Sequence, residues 1–151
     1  MQFMMRRVVA TVAAGAAMAL AACTDATGLG RVPSVGGDWQ LHTLTSNSEL
    51  GVTCEADGTV SIVQRGTNFT GQVTESSETC SGPGGIAYGS VDGAMLGGQI
   101  VGSELSYADE SCDYVGTVSG TPANRVVGEM SCTVVLPSGT YVLAGTWRLS
   151  R

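Results

Sequence analysis

His42 is the only histidine, lysine is absent, and the other side chains able to do chemistry are chiefly carboxylates and cysteines. Serine or thiol attack needs a neighbouring base, and Schiff-base chemistry needs a lysine, so the usual catalytic sets are missing. Acid/base work without a metal would rest on carboxylates. Asp109, Glu110 and Asp113 form one cluster, and Glu75 with Glu78 forms another. Paired acids can hydrolyse glycosides or hold calcium. Neither cluster has calcium-loop spacing, and both read as solvated acidic rims. His42 alternates with Trp39 and Leu41 onto the polar face beside Gln40, as a surface imidazole would. No phosphate-binding loop with its lysine is present. These residues predict no enzyme and no cofactor.

Binding is the better candidate chemistry. Tyr88, Tyr107, Tyr114 and Tyr141 combine apolar bodies with polar tips, which suits the mouth of a ligand cavity, and the ligand-binding residues expected are Trp39, Tyr88, Tyr107, Tyr114 and Trp147. The competing expectation is a core filled by its own side chains. The whole chain carries a formal net charge of −6. Two of its arginines, Arg6 and Arg7, lie in the amino-terminal segment described below, so the remainder is more acidic still. A nucleic-acid partner would need a basic stripe to displace counterions from phosphates, and none exists.

The elements that must position these residues are strands. Glycine is abundant (22 residues), and no run beyond the amino-terminal segment shows convincing helical periodicity. Strand-like runs at residues 38–45, 59–65, 68–75, 86–91, 99–101, 104–108, 112–119, 125–132 and 140–149 are separated by glycine, serine, proline and aspartate. Glycine pairs such as Gly84-Gly85 and Gly97-Gly98 read as turns or bulges. Short strands at this spacing predict an antiparallel meander of about eight to ten strands. Closing it into a small β-barrel removes the exposed edges.

Cys54, Cys80, Cys112 and Cys132 predict two disulfides. Residues 112–119 and 125–132, placed symmetrically about Pro122, collect Cys112, Tyr114, Gly116 and Val118 on one face. Opposite them stand Cys132, Met130, Gly128 and Val126. A one-residue slip would mix apolar and polar faces, so the pattern fixes the register and sets Cys112 across from Cys132. In the other hairpin, Gly66-Thr67 makes the turn. Alternation from there sets Cys54 opposite Thr79, and a bulge near the open end would bring it to Cys80. Each closed loop contributes roughly 3 kcal/mol in the chain-entropy model. The cysteine and histidine spacings do not suit zinc, and no metal site is expected.

The amino end has two arginines, the apolar run 8–20, then Ala21-Ala22-Cys23. That is an export signal, too short to span a bilayer, since it covers only about two thirds of the hydrocarbon core. Leu20-Ala21-Ala22-Cys23 resembles the lipobox of bacterial lipoproteins. The resemblance implies cleavage before Cys23, a diacylglycerol thioether on its sulfur and an acylated amine, with several acyl chains giving stable membrane attachment. Thr24, where enterobacterial lipoproteins carry aspartate for inner-membrane retention, implies the outer membrane. The organisation expected is a signal peptide at 1–22, a lipidated tether at 23–36 and a barrel at 37–151.

Gly37-Asp38-Trp39 opens the first strand, and Gly145-Thr146-Trp147-Arg148 lies in the last. Here the chain resembles the calycin superfamily, whose first strand begins Gly-x-Trp and whose final strand supplies a basic residue beside that tryptophan. The resemblance implies that Trp39 and Arg148 play those parts, with both tryptophans plugging one barrel end. The alternation of Arg148 away from Trp147 argues against its share. The expectation is a lipid-anchored, non-catalytic binding module of the bacterial cell envelope, facing the periplasm or the exterior. Its partner would be a small apolar ligand or an envelope protein. The alternative is a structural lipoprotein acting only through its surface.

Overall fold

A computed structural model of the chain describes residues 31–151. The expected signal peptide at 1–22 and Cys23 lie outside the described residues. Nine strands follow one another: β1 (Gly37–Asn47), β2 (Val52–Arg65), β3 (Asn68–Gly82), β4 (Gly85–Gly89), β5 (Met95–Val101), β6 (Glu104–Ala108), β7 (Cys112–Ser119), β8 (Arg125–Leu136) and β9 (Gly139–Ser150). Every pairing is antiparallel. The order β1-β2-β3-β5-β6-β7-β8-β9 returns to β1, so eight strands close into a barrel.

β4 is the exception to that ring. It runs along β3 at Glu78–Gly82, and β5 runs along the same edge of β3 at Asn68–Gln72. The two are one interrupted stave. Between them the chain leaves the edge, held by Asp92 Oδ1 accepting from Ser76 N (2.6 Å) and Ser76 Oγ accepting from Val91 N (2.8 Å).

Both hairpin registers follow from side-chain alternation. Cys112 lies opposite Cys132 and Gly116 opposite Gly128, as the apolar face requires. In the β2–β3 hairpin Gly66 takes the left-handed conformation of the turn, with φ 63°. The bulge is real: two residues, Glu75 and Ser76, oppose Gly58, and Glu75 has φ 52°. That extra residue moves Cys54 from Thr79 to Cys80, and both disulfides form, Cys54–Cys80 and Cys112–Cys132.

Alternation sends one face of each strand inward. Trp39, Leu41, Val60, Ile62, Phe69, Val73, Ile100, Leu105, Val126, Trp147 and Leu149 are buried there. The packing reaches ahead of β1 into the stretch read as tether, because Val35 is fully buried. Its N–H donates to Gln64 Oε1 (2.6 Å), and its carbonyl accepts from Trp39 Nε1 (2.7 Å). This end of the barrel is closed.

The basic residue that packs on Trp39 is Arg151, and this corrects the assignment of Arg148. The Arg151 guanidinium lies 4.1 Å from the Trp39 ring centroid. It donates to the carbonyls of Ala123 (2.9 Å), Gly36 (2.7 Å) and Ser34 (3.0 Å). Arg148 follows inward-facing Trp147 and so points out of the barrel, paired with His42 and Val127. The tryptophans do not share an end either. Register places Trp147 opposite Thr43, further along the barrel than Trp39, which lies opposite Val60.

Candidate functional site

Opposite the closed end, the wall is incomplete. β6 stops at Ala108, β7 starts at Cys112, and β8 beyond Cys132 pairs only with β9. β4, on the other side, pairs only with β3. Between these elements opens a cavity of about 600 Å³ that runs down into the barrel. Its walls are mainly apolar, with Leu41, Val73, Leu96, Met130 and Leu143 among the lining side chains, and Thr43 and Thr45 from β1 interrupt them.

Tyr107 and Tyr114 also line the cavity, and their rings stack with centroids 4.1 Å apart. Trp147 supports them edge-on, 5.1 Å from Tyr107 and 5.9 Å from Tyr114. This arrangement depends on missing side chains. A Cβ on Gly116 would sit 2.7 Å from Trp147 Cζ2. Over the Gly116–Gly128 pair the indole can approach the sheet, and its Nε1 donates to Val115 O (3.2 Å) and Glu129 O (3.0 Å). Gly98 serves Tyr107 in the same way. It lies inside β5, between Phe69 and Tyr107, and not in a turn.

Four carboxylates stand at the cavity: Glu78, Asp92, Asp109 and Glu110. Asp109 is fixed in the β6–β7 turn, where Oδ1 accepts from Ser111 N (2.9 Å) and Cys112 N (2.8 Å). Its Oδ2 accepts from Tyr114 Oη at 3.1 Å. Burial raises the Tyr114 phenol above its ordinary range, and the Asp109 charge adds to the shift. Burial also raises Tyr107, helped by Tyr114 and Asp109. Asp92 is shifted the other way, because the Ser76 backbone and hydroxyl hold its charged form.

Among the five aromatic residues expected to bind a ligand, Tyr107 and Tyr114 line the cavity, and Tyr141, the fourth tyrosine expected at a mouth, does not. Tyr88 does not: it is 80% exposed on β4, which projects beyond the barrel with both faces in solvent. Trp39 seals the closed end, and Trp147 backs the tyrosine pair without being a lining residue. The acidic rim includes Asp109, Glu110 and Glu78, as the clustering suggests. Asp113 faces away, paired with Ala108. Asp92 was not legible as a rim residue, since Asp92-Gly93 looks like any surface turn. His42 lies on the outer face, where Asp57 Oδ1 is 2.8 Å from its Nδ1 and Glu55 Oε1 is 3.8 Å away.

No protein-family model matches the chain, and no curated protein does. One similar solved structure is a crystal structure of zebrafish ileal bile acid-binding protein complexed with cholic acid. It is 16% identical, with a TM-score of 0.29, over 74% of this chain and 95% of that one. At that score and identity no residue role passes from that protein to this chain.

Proposed function

We propose that this chain is a lipid-anchored, non-catalytic binding module of a bacterial cell envelope, whose barrel holds a small apolar ligand. The observation that carries the binding role is the cavity of about 600 Å³, open at one end and lined mainly by apolar side chains. Ligand sites typically span about 300–1,000 Å³ with a few polar groups at the edge. The lone histidine lies between two lining residues, Leu41 and Thr43, but its side chain is turned to the outer face of the wall, which supports binding without catalysis.

Anchoring rests on the Leu20-Ala21-Ala22-Cys23 motif. Its consequence for orientation comes from the packing of residues 33–36, since Gln64 Nε2 donates to Pro33 O at 3.0 Å. The tether joins the barrel at its closed end. A lipid on Cys23 would then leave the cavity mouth directed away from the membrane.

All buried side chains among the described residues fall between Val35 and Leu149, so residues 24–151 contain a complete core. Native mass spectrometry of that soluble piece tests the binding role. A co-purifying small molecule, or uptake of a neutral apolar dye, is the expected result. A bare mass with no dye uptake would favour a filled structural barrel. Membrane fractionation tests the anchor: wild-type protein should pellet with membranes, and Cys23→Ser should not.

A further inference from the structure

We infer that the cavity selects amphiphiles with a cationic head group, an apolar tail entering the barrel while an ammonium remains among the carboxylates at its mouth. This rests on the binding role proposed above and adds the charge of the ligand. Every charged side chain lining the cavity is acidic: Glu78 from β3, Asp92 from the β4–β5 connection, and Asp109 and Glu110 from the β6–β7 turn. They come from three separate elements and converge on one opening. No arginine lines the cavity, and lysine is absent from the chain.

The arginines of β2, β8 and β9, and the one that follows β9, leave no neutralising partner at the rim. Arg65 ends β2 at the turn into β3, and Arg125 begins β8. Both positions are at the closed end, as is Arg151 on Trp39. Arg148 points outward. These arginines thus lie at the closed end or on the outer face, while four carboxylates stand where a ligand enters. An apolar wall cannot distinguish head groups, but four like charges at the rim can. A cation is attracted and a carboxylate is repelled, with the effect strongest at low salt. The stacked Tyr107–Tyr114 pair adds aromatic surface that tolerates a cation.

The test uses residues 24–151 and a matched series of dodecylamine, dodecanol and dodecanoate. Each competes below its micelle concentration against the neutral fluorescent reporter N-phenyl-1-naphthylamine. Dodecylamine should compete about tenfold better than dodecanol, and dodecanoate worse, the scale of one or two screened unit charges. Raising the salt should shrink the spread. In Glu78→Gln/Glu110→Gln the amine-to-carboxylate ratio should fall by about tenfold, read as a ratio within one protein. Dodecanoate competing as well as dodecylamine, or the double variant keeping the wild-type ratio, would overturn the charge selectivity while leaving the cavity intact. Failure of the reporter and all three competitors to bind would overturn the binding role itself, and this inference with it.

Discussion

Arg151 offers the sharpest quantitative test, because the sequence pointed to a different arginine. Arg151→Ala removes three hydrogen bonds to the carbonyls of Ala123, Gly36 and Ser34, and the guanidinium over Trp39. A bond from a charged donor contributes about 1.5–3 kcal/mol when well shielded. Here the Ala123 bond is partly buried and the other two are exposed, so about 1 kcal/mol for the first and about 0.5 for each of the others is appropriate. The ring contact adds about 0.5–1 kcal/mol. The expected loss is about 2.5–3 kcal/mol, or a fall in Tm of roughly 10 °C for a domain of this size. Thermal unfolding followed by tryptophan fluorescence measures it, and Trp39 emission should change in the folded state as its cover is removed. Arg151→Lys keeps the charge but not the planar fork that reaches three carbonyls, so it should recover less than half of the loss. Arg148→Ala, on the outer face, should stay within about 0.5 kcal/mol of wild type. Equal shifts for the two alanine variants would refute the account of how the closed end is held.

Three further outcomes follow from packing, cross-links and titration. Gly98→Ala should cost about 2–4 kcal/mol in urea unfolding, because the new methyl would collide with the Ser106 carbonyl and sit 2.5 Å from Phe69 Cζ. Gly97→Ala, with nothing within 4 Å of its Cβ, is the near-neutral control. Replacing Cys112 and Cys132 together by serine should lower stability by about 3 kcal/mol by guanidinium midpoint, since the bridge closes a sequence separation of 20. An unchanged midpoint would refute that contribution. Tyr107 and Tyr114 are both raised above the ordinary value of 10.0. The unfolded chain therefore releases their protons first, so stability is complete below about pH 10 and falls as the pH rises towards the folded-state values. Absorbance titration should show native protein at about pH 11 forming fewer tyrosinates than denatured protein, and identical curves would contradict the burial of these phenols.

The parts of this fold that were legible in the sequence are those governed by local alternation. In the β7–β8 hairpin each inward residue is apolar or glycine, and one slip would expose Val118 and Val126, so the register and the Cys112–Cys132 pairing could be read directly. The Cys54–Cys80 pairing was legible for a related reason: a one-residue misfit between two cysteines in long strands has one economical remedy, a bulge, and Glu75 and Ser76 supply it. Arg151 was not legible, because its role depends on a side chain folding back over the barrel end beyond the strand that alternation describes. The glycines misled in part. Gly97-Gly98 carries the composition of a turn, but its neighbours across the sheet are Phe69 and Tyr107, and only their packing makes a Cβ-less strand position necessary.

The cavity itself was the least legible feature, and the reason is topological. Tyr107 and Tyr114 could be assigned an inward face from their own strands, whereas Tyr88, equally aromatic and in a strand-like run, could not be distinguished from them. What separates them is the break between β4 and β5. Because the chain leaves the β3 edge at Ser90–Asp92 and rejoins it where Gly93 and Ala94 bond to Val73, the upper part of that stave projects as a hairpin and carries Tyr88 into solvent, while the lower part completes the ring. The same break removes wall from the barrel beside the β6–β7 turn and brings Asp92 to the rim. The hydrogen bonds from Ser76 to Asp92 and from Val91 to Ser76 are where local polar chemistry holds that departure in place and sets Asp92 at the rim.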